Sequence, residues 1–181
     1  KRVDVADLEF NPPSDFANLT TVGTTKKLGV FHPEGGGATF VSSPASVMAA
    51  GTQGAWSFNG DFDIVGIGTS TADSTDGNEI VAFLPGLASS VCARINEELG
   101  ISTGVANIPS TNDDIKGVDP GTPGYLRMMD NSTDMAGATD IVIGTGGDTT
   151  LTELDGQPYG CFENDADGTS VFVYYHVLIE R

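Results

Sequence analysis

Apolar residues along this chain fall into short runs broken by clusters of Gly, Asn, Asp, Ser and Thr, the spacing of a strand-rich protein. The clearest run covers residues 169–180. There Val171, Val173, Tyr175, Val177 and Ile179 line one face, and Phe172, Tyr174, His176 and Leu178 line the other. A strand apolar on both faces belongs inside a sheet, so we expect it between other strands and beneath a helix. Asp165-Ala166-Asp167-Gly168 reads as the hairpin turn that leads into it from a strand at 159–163. Further strands are predicted at 79–84, at 140–143 and, ended by Pro12-Pro13, at 7–10. Two more hairpins are expected. One joins the runs at 28–31 and 38–41 around His32-Pro33-Glu34-Gly35-Gly36-Gly37, and the other joins 55–58 to 61–67 around Asn59-Gly60.

One segment has helical periodicity. Between residues 85 and 99, Leu87, Val91, Ile95 and Leu99 recur every four positions, with Ala88 and Cys92 beside them. Pro85 suits a first turn and Gly100 suits the residue after the last. Arg94, Asn96, Glu97 and Glu98 are expected on the wet face. Residues 101–139 lose regular pattern and read as a long irregular region, while residues 1–27 read as a polar opening segment. Neither an internal repeat nor a linker interrupts the chain. The predicted fold is α+β, one loop-rich domain over 1–181, with an antiparallel β-sheet packed against one main helix at about 85–99.

Length and composition narrow the class. At 181 residues, folding buries roughly 70% of the surface of the unfolded chain, enough for a real core. The 24 Gly and 9 Pro point to many turns and exclude a coiled coil or helical bundle. Eight Lys and Arg stand against 25 Asp and Glu, a formal net charge of −17. No basic residue occurs over 28–93 or 128–180, so the chain has no basic patch for a nucleic acid. It also contains no run of eighteen or more apolar residues. Lys1-Arg2-Val3-Asp4 leads into alternating polar residues rather than an apolar signal segment.

Candidate chemistry is sparse. Gly66-Ile67-Gly68 follows a strand, but position 71 is Thr and no helix pattern follows, so the dinucleotide-binding arrangement is not formed. Gly144-Thr145-Gly146-Gly147 lacks a phosphate-binding Lys and reads as a turn. His32 and His176, the only histidines, belong to no nucleophile motif and have no zinc-ligand spacing with the cysteines. The acids crowd into turns, where a raised pKa is not expected, and no enzyme is predicted. Hard-cation binding is the better chemical reading. Glu163, Asp165 and Asp167 alternate before Gly168 like the first half of an EF-hand loop, although position twelve is Tyr174 and a plain Asp-Gly turn explains the same residues. Calcium at Asp165 and Asp167 therefore stands beside a simple turn, as it does for Asp130, Asn131, Asp134 and Asp140. Asn18-Leu19-Thr20 and Asn131-Ser132-Thr133 fit the glycosylation pattern. Cys92 and Cys161 would be small core thiols in a cytosolic protein. In an exported, acidic chain they pair, and a single disulfide is the expectation.

Three stretches taken together carry a resemblance. They are Val30-Phe31-His32-Pro33-Glu34-Gly35-Gly36-Gly37; Leu84-Pro85-Gly86-Leu87 through Val91-Cys92-Ala93-Arg94-Ile95-Asn96; and Gly160-Cys161-Phe162 with the ending Tyr174-Tyr175-His176-Val177-Leu178-Ile179. In this order the chain resembles the exported domain of bacterial type IV pilin-like proteins, including type II secretion pseudopilins, over roughly 28–41, 84–100 and 158–181. The family's leader-peptide site and hydrophobic N-terminal helix with its glutamate are not among these residues, so no site residue carries over from them. The resemblance implies a helix on an antiparallel sheet in a subunit assembled with other pilin or pseudopilin subunits. It also implies a periplasmic or cell-surface location, with membrane attachment only through that N-terminal helix and a monomeric globular part. The alternative is a secreted calcium-dependent adhesion or carbohydrate-binding β module.

Overall fold

The structure, a computed structural model, describes residues 29–68, 79–111, 141–145, 151–165 and 170–180. In chain order the elements are β1 (Ser57–Ile64), β2 (Glu79–Pro85), α1 (Ser89–Leu99), β3 (Ser110–Thr111), β4 (Ile141–Ile143), β5 (Tyr159–Asn164) and β6 (Val171–Ile179). The strands form one six-stranded sheet in the order β3-β5-β6-β2-β1-β4. Its four central strands are antiparallel, but β4 runs parallel to β1 and β3 parallel to β5. The fold is α+β as expected, while the sheet is mixed rather than antiparallel. The reason lies in the connections. Strands joined by a tight hairpin must be antiparallel, whereas β3 and β4 are short edge strands reached by other routes, which lets either direction dock.

Central position follows from sequence. All seven residues of β2 are buried, as a run apolar on both faces requires. Its side chains divide by alternation. Val81 and Phe83 join Ile64, Ile143, Phe162, Val173 and Tyr175 on one face, covered by Leu151, Leu154 and Ile67. Leu84 meets Cys92, Ala93 and Cys161 beneath α1, and Ile80 and Ala82 meet Phe58 beside Val30, Phe31 and Phe40. A fully buried Phe such as Phe83 contributes about 2 kcal/mol through area removed from water. β6 sits between β5 and β2, as its pattern predicts. Its helix-side face is covered for only part of its length. Phe172 and Tyr174 pack with the helix cluster, whereas His176 and Leu178 are exposed. The predicted β5–β6 hairpin forms, pairing Asn164 with Val171.

Three predicted elements take another form. Asn59-Gly60 does not turn: β1 runs through it, and the β1–β2 register shifts between Asn59 and Phe62. The pair is absorbed as a bulge-like irregularity because residues on both sides of it pair with β2 rather than with each other. The helix starts at Ser89, not at 85. Pro85 closes β2, Gly86 adopts φ 84°, and the N–H groups of Gly86 and Leu87 both donate to Phe172 O. Leu87 fits the apolar stripe yet lies on this turn. The helix ends as predicted: Gly100 has φ 73°, its N–H donates to Glu97 O, and Ile101 N–H donates to Asn96 O, a Schellman closure. Finally, residues 29–41 form no named strand. They fold as a tight loop closed by Gly36 N–H to Gly29 O and Ala38 N–H to Val30 O. Its Phe31 packs edge-on against Phe40 and leans on Phe58. The strand predicted at 7–10 lies outside the described residues, as do 1–28 and most of the irregular region.

Candidate functional site

Helix α1 is fixed to the sheet by two devices one turn apart. Cys92 and Cys161 form a disulfide with Cα atoms 5.4 Å apart, and both are fully buried. Asn96 lies four residues after Cys92, hence on the same helix face. Its Nδ2 donates to Cys161 O at 2.8 Å, and Cys161 N–H donates to its Oδ1 at 3.0 Å. One side-chain amide thus supplies both partners that a neighbouring strand would supply. Further along β5 that task passes to the β3 segment, where Glu163 N–H donates to Pro109 O and Asp165 N–H to Thr111 O. The sequence placed Asn96 on the wet face. It is in fact completely buried, at the centre of the helix–sheet contact. Its i,i+4 relation to Cys92 is the signal that marks it.

The candidate cation ligands are only partly described. Asp165 is exposed at the end of β5, and Asp167 lies outside the described residues, as do Asp130, Asn131, Asp134, Asp140 and both glycosylation motifs. Glu163 is engaged across the hairpin, accepting a hydrogen bond from Ser170 Oγ. Among the described residues, no group of three or more His, Cys, Asp or Glu is placed to hold a metal ion. His32 is buried and its Nδ1 accepts from Glu34 N–H at 3.1 Å, which organises the turn that follows. His176 is exposed; its Nδ1 lies 3.0 Å from Tyr174 Oη, and its ring packs against Tyr159. Both cysteines are oxidised, so neither is a thiol nucleophile.

A buried carboxyl group escaped the sequence reading. Glu79, at the start of β2, is fully buried, and Asp63 on the adjacent β1 is nearly so. Glu79 Oε2 accepts from Ile64 N–H at 3.1 Å, while its Oε1 has no hydrogen-bond partner among the described residues. Burial raises its pKa to about 7, with the charges of Asp63 and Glu180 adding to the rise and the Ile64 N–H opposing it. On the sheet face of Val81 and Phe83, the Tyr175 phenol donates to Gln157 O at 2.9 Å, and burial pushes its pKa upward. These are structural polar groups locked between strands and turns.

The open end of the helix-side face is apolar. Beyond α1, the loop at 30–41 and the sheet enclose a groove of about 390 Å³ lined by Phe31, Phe40, Val41, Trp56, Phe58 and Leu178, among others. Val41 is 67% exposed and Leu178 43%. Trp56 extends the groove toward Tyr174, its ring edge-on at 6.0 Å. Among the described residues no helix is long and apolar enough to cross a membrane. No family model, curated protein or solved structure matches the chain.

Proposed function

We propose that this domain is the exported globular part of a pilin or minor pseudopilin, a structural subunit of a type IV pilus or type II secretion filament. The observation that carries this reading is the double lock between α1 and β5. The Cys92–Cys161 bond and the Asn96 bridge both tie α1 to Cys161 of β5, joining helix and sheet in one body. Such a body resists opening when it is carried or pulled by an attached segment, and its disulfide suits an oxidising compartment. Two of the three sequence stretches of the resemblance lie in this unit and the other lies beside it. The second holds α1 and the turn into it, the third holds β5 and β6, and the first packs over the neighbouring part of the same sheet face.

In this role the protein works through surfaces rather than through chemistry. Neighbouring subunits are its partners, nucleic acid is not, and an N-terminal helix of the full-length protein provides the membrane or filament anchorage. Terminal sequencing of the full-length gene product from its host tests the reading. A mature N-terminus made by a prepilin peptidase is expected. Cleavage by an ordinary signal peptidase, releasing a soluble monomer, would overturn it.

A further inference from the structure

Four aromatic side chains form a continuous row on the helix-side face of the sheet. Trp56, just before β1, stands edge-on to Tyr174 of β6, with ring centres 6.0 Å apart. Tyr174 meets His176 at 6.2 Å, and His176 meets Tyr159 of β5 at 5.6 Å. The register explains the row. Tyr159 pairs with His176, and Tyr174 lies two residues before His176, hence on the same face. Tyr159 and His176 are exposed, and Trp56 and Tyr174 are half-buried. The polar tips of the row are largely open. Tyr174 Oη and His176 Nδ1 bond each other, but Trp56 Nε1, Tyr159 Oη and His176 Nε2 have no hydrogen-bond partner among the described residues. On the opposite face, where Tyr175 serves the core, its hydroxyl is occupied by Gln157 O. Exposed aromatic rings with open donors mark a place for a ligand that is apolar on one side and wet on the other. The row itself carries no carboxylate, Lys or Arg, and a net charge of −17 repels anions. An uncharged ligand with flat C–H faces and many hydroxyls fits best. A pyranose sugar has both, and several rings in line suit a chain of sugars better than a single one.

We infer that this row binds a neutral oligosaccharide. The C–H faces of successive sugar rings stack on Tyr159, His176 and Trp56, and their hydroxyls bond the open Oη, Nε2 and Nε1. This site goes beyond the filament reading and does not rest on it, because a filament subunit and a free secreted domain would present the row alike.

Trp56 is the chain's single tryptophan and belongs to the row, so its fluorescence reports occupancy directly. The probes are cellohexaose, chitohexaose and maltohexaose, compared with glucose and with an acidic hexamer of galacturonic acid. The expected result is a saturable change in Trp56 emission with at least one neutral hexamer, absent with glucose and the acidic hexamer and not weakened by salt. Tyr159→Ala and His176→Ala should each weaken binding about tenfold, the effect of removing one stacked ring, while Tyr159→Phe keeps the ring and loses less. Both positions are exposed, and circular dichroism confirms that the variants stay folded. Val41→Ser, at the mouth of the neighbouring groove, should keep wild-type affinity. No binding of any neutral hexamer would overturn the inference, as would equal binding of the acidic one or affinity unchanged in both alanine variants. A loss in Val41→Ser as large as in the alanine variants would put the ligand in the groove and also overturn it.

Discussion

Glu79→Gln should abolish a pH dependence that the wild-type fold carries in its sheet. Glu79 is fully buried and titrates at about 7 instead of 4.5 because burial disfavours its charged form. The folded state therefore holds this proton more tightly than the unfolded chain does. The stabilisation is fully present below about pH 4.5 and is lost as pH rises through about 7. A difference of about 2.5 pKa units corresponds to roughly 3 kcal/mol between the two limits. Gln keeps the size of the side chain, and its carbonyl can still accept from Ile64 N–H, but it never ionises. Urea unfolding followed by circular dichroism at about pH 5, 7 and 8.5, at constant ionic strength, compares the two proteins. General repulsion among the surface acids acts on both alike, so the difference between them isolates Glu79. The variant should be close to wild type, or slightly weaker, at the acid end. It should be more stable by up to about 3 kcal/mol at the alkaline end. A difference that stays the same at all three pH values would refute the reasoning.

Four further outcomes are expected. Asn96→Ala strips both hydrogen bonds from Cys161 and leaves two buried backbone groups unpaired, costing about 2–4 kcal/mol in urea unfolding; a loss under about 0.5 kcal/mol would show that water replaces the amide. Intact mass with and without reductant should reveal one bond between Cys92 and Cys161, and reducing it should cost roughly 4 kcal/mol in the loop-entropy picture, whereas two free thiols in exported material would contradict it. Val173→Asp or Tyr175→Asp places an unpaired charge at a fully buried position of β6 and should abolish folding, checked by the loss of a cooperative melting transition. Calorimetry at matched ionic strength tests Asp165 and Asp167 for calcium: a site requires a midpoint higher in calcium than in sodium that Asp165→Asn removes, and equal midpoints leave only screening of the net charge.

What was readable in the sequence follows from how much each signal depends on long-range contacts. β2 and β6 were readable because a run apolar on both faces has only one comfortable place, inside a sheet. The end of α1 was readable because Gly100 supplies the left-handed residue that its closure needs. Its start was not, since Leu87 continues the apolar stripe while Pro85 and Gly86 turn the backbone. Asn59-Gly60 misled for a similar reason: the local preference for a turn yielded to pairing with β2. The parallel edges, β3 and β4, are two and three residues long, too short for pattern to fix their direction. Asn96 and Glu79 are polar residues whose burial is decided by partners far away in sequence, Cys161 for one and Ile64 for the other. Only the spacing of Asn96 from Cys92 hinted at either. The cysteine pairing was legible because the chain has just two cysteines, which leaves a single possible intramolecular bond.

Whether this domain is a filament subunit, as proposed, is decided in its host. Immunogold labelling of filaments sheared from cells that express the epitope-tagged full-length protein tests it most directly. Labelled filaments that disappear when the host's prepilin peptidase is deleted are the predicted result. Tagged protein found only as a free monomer in the periplasm or the medium, with filaments unlabelled, would contradict it.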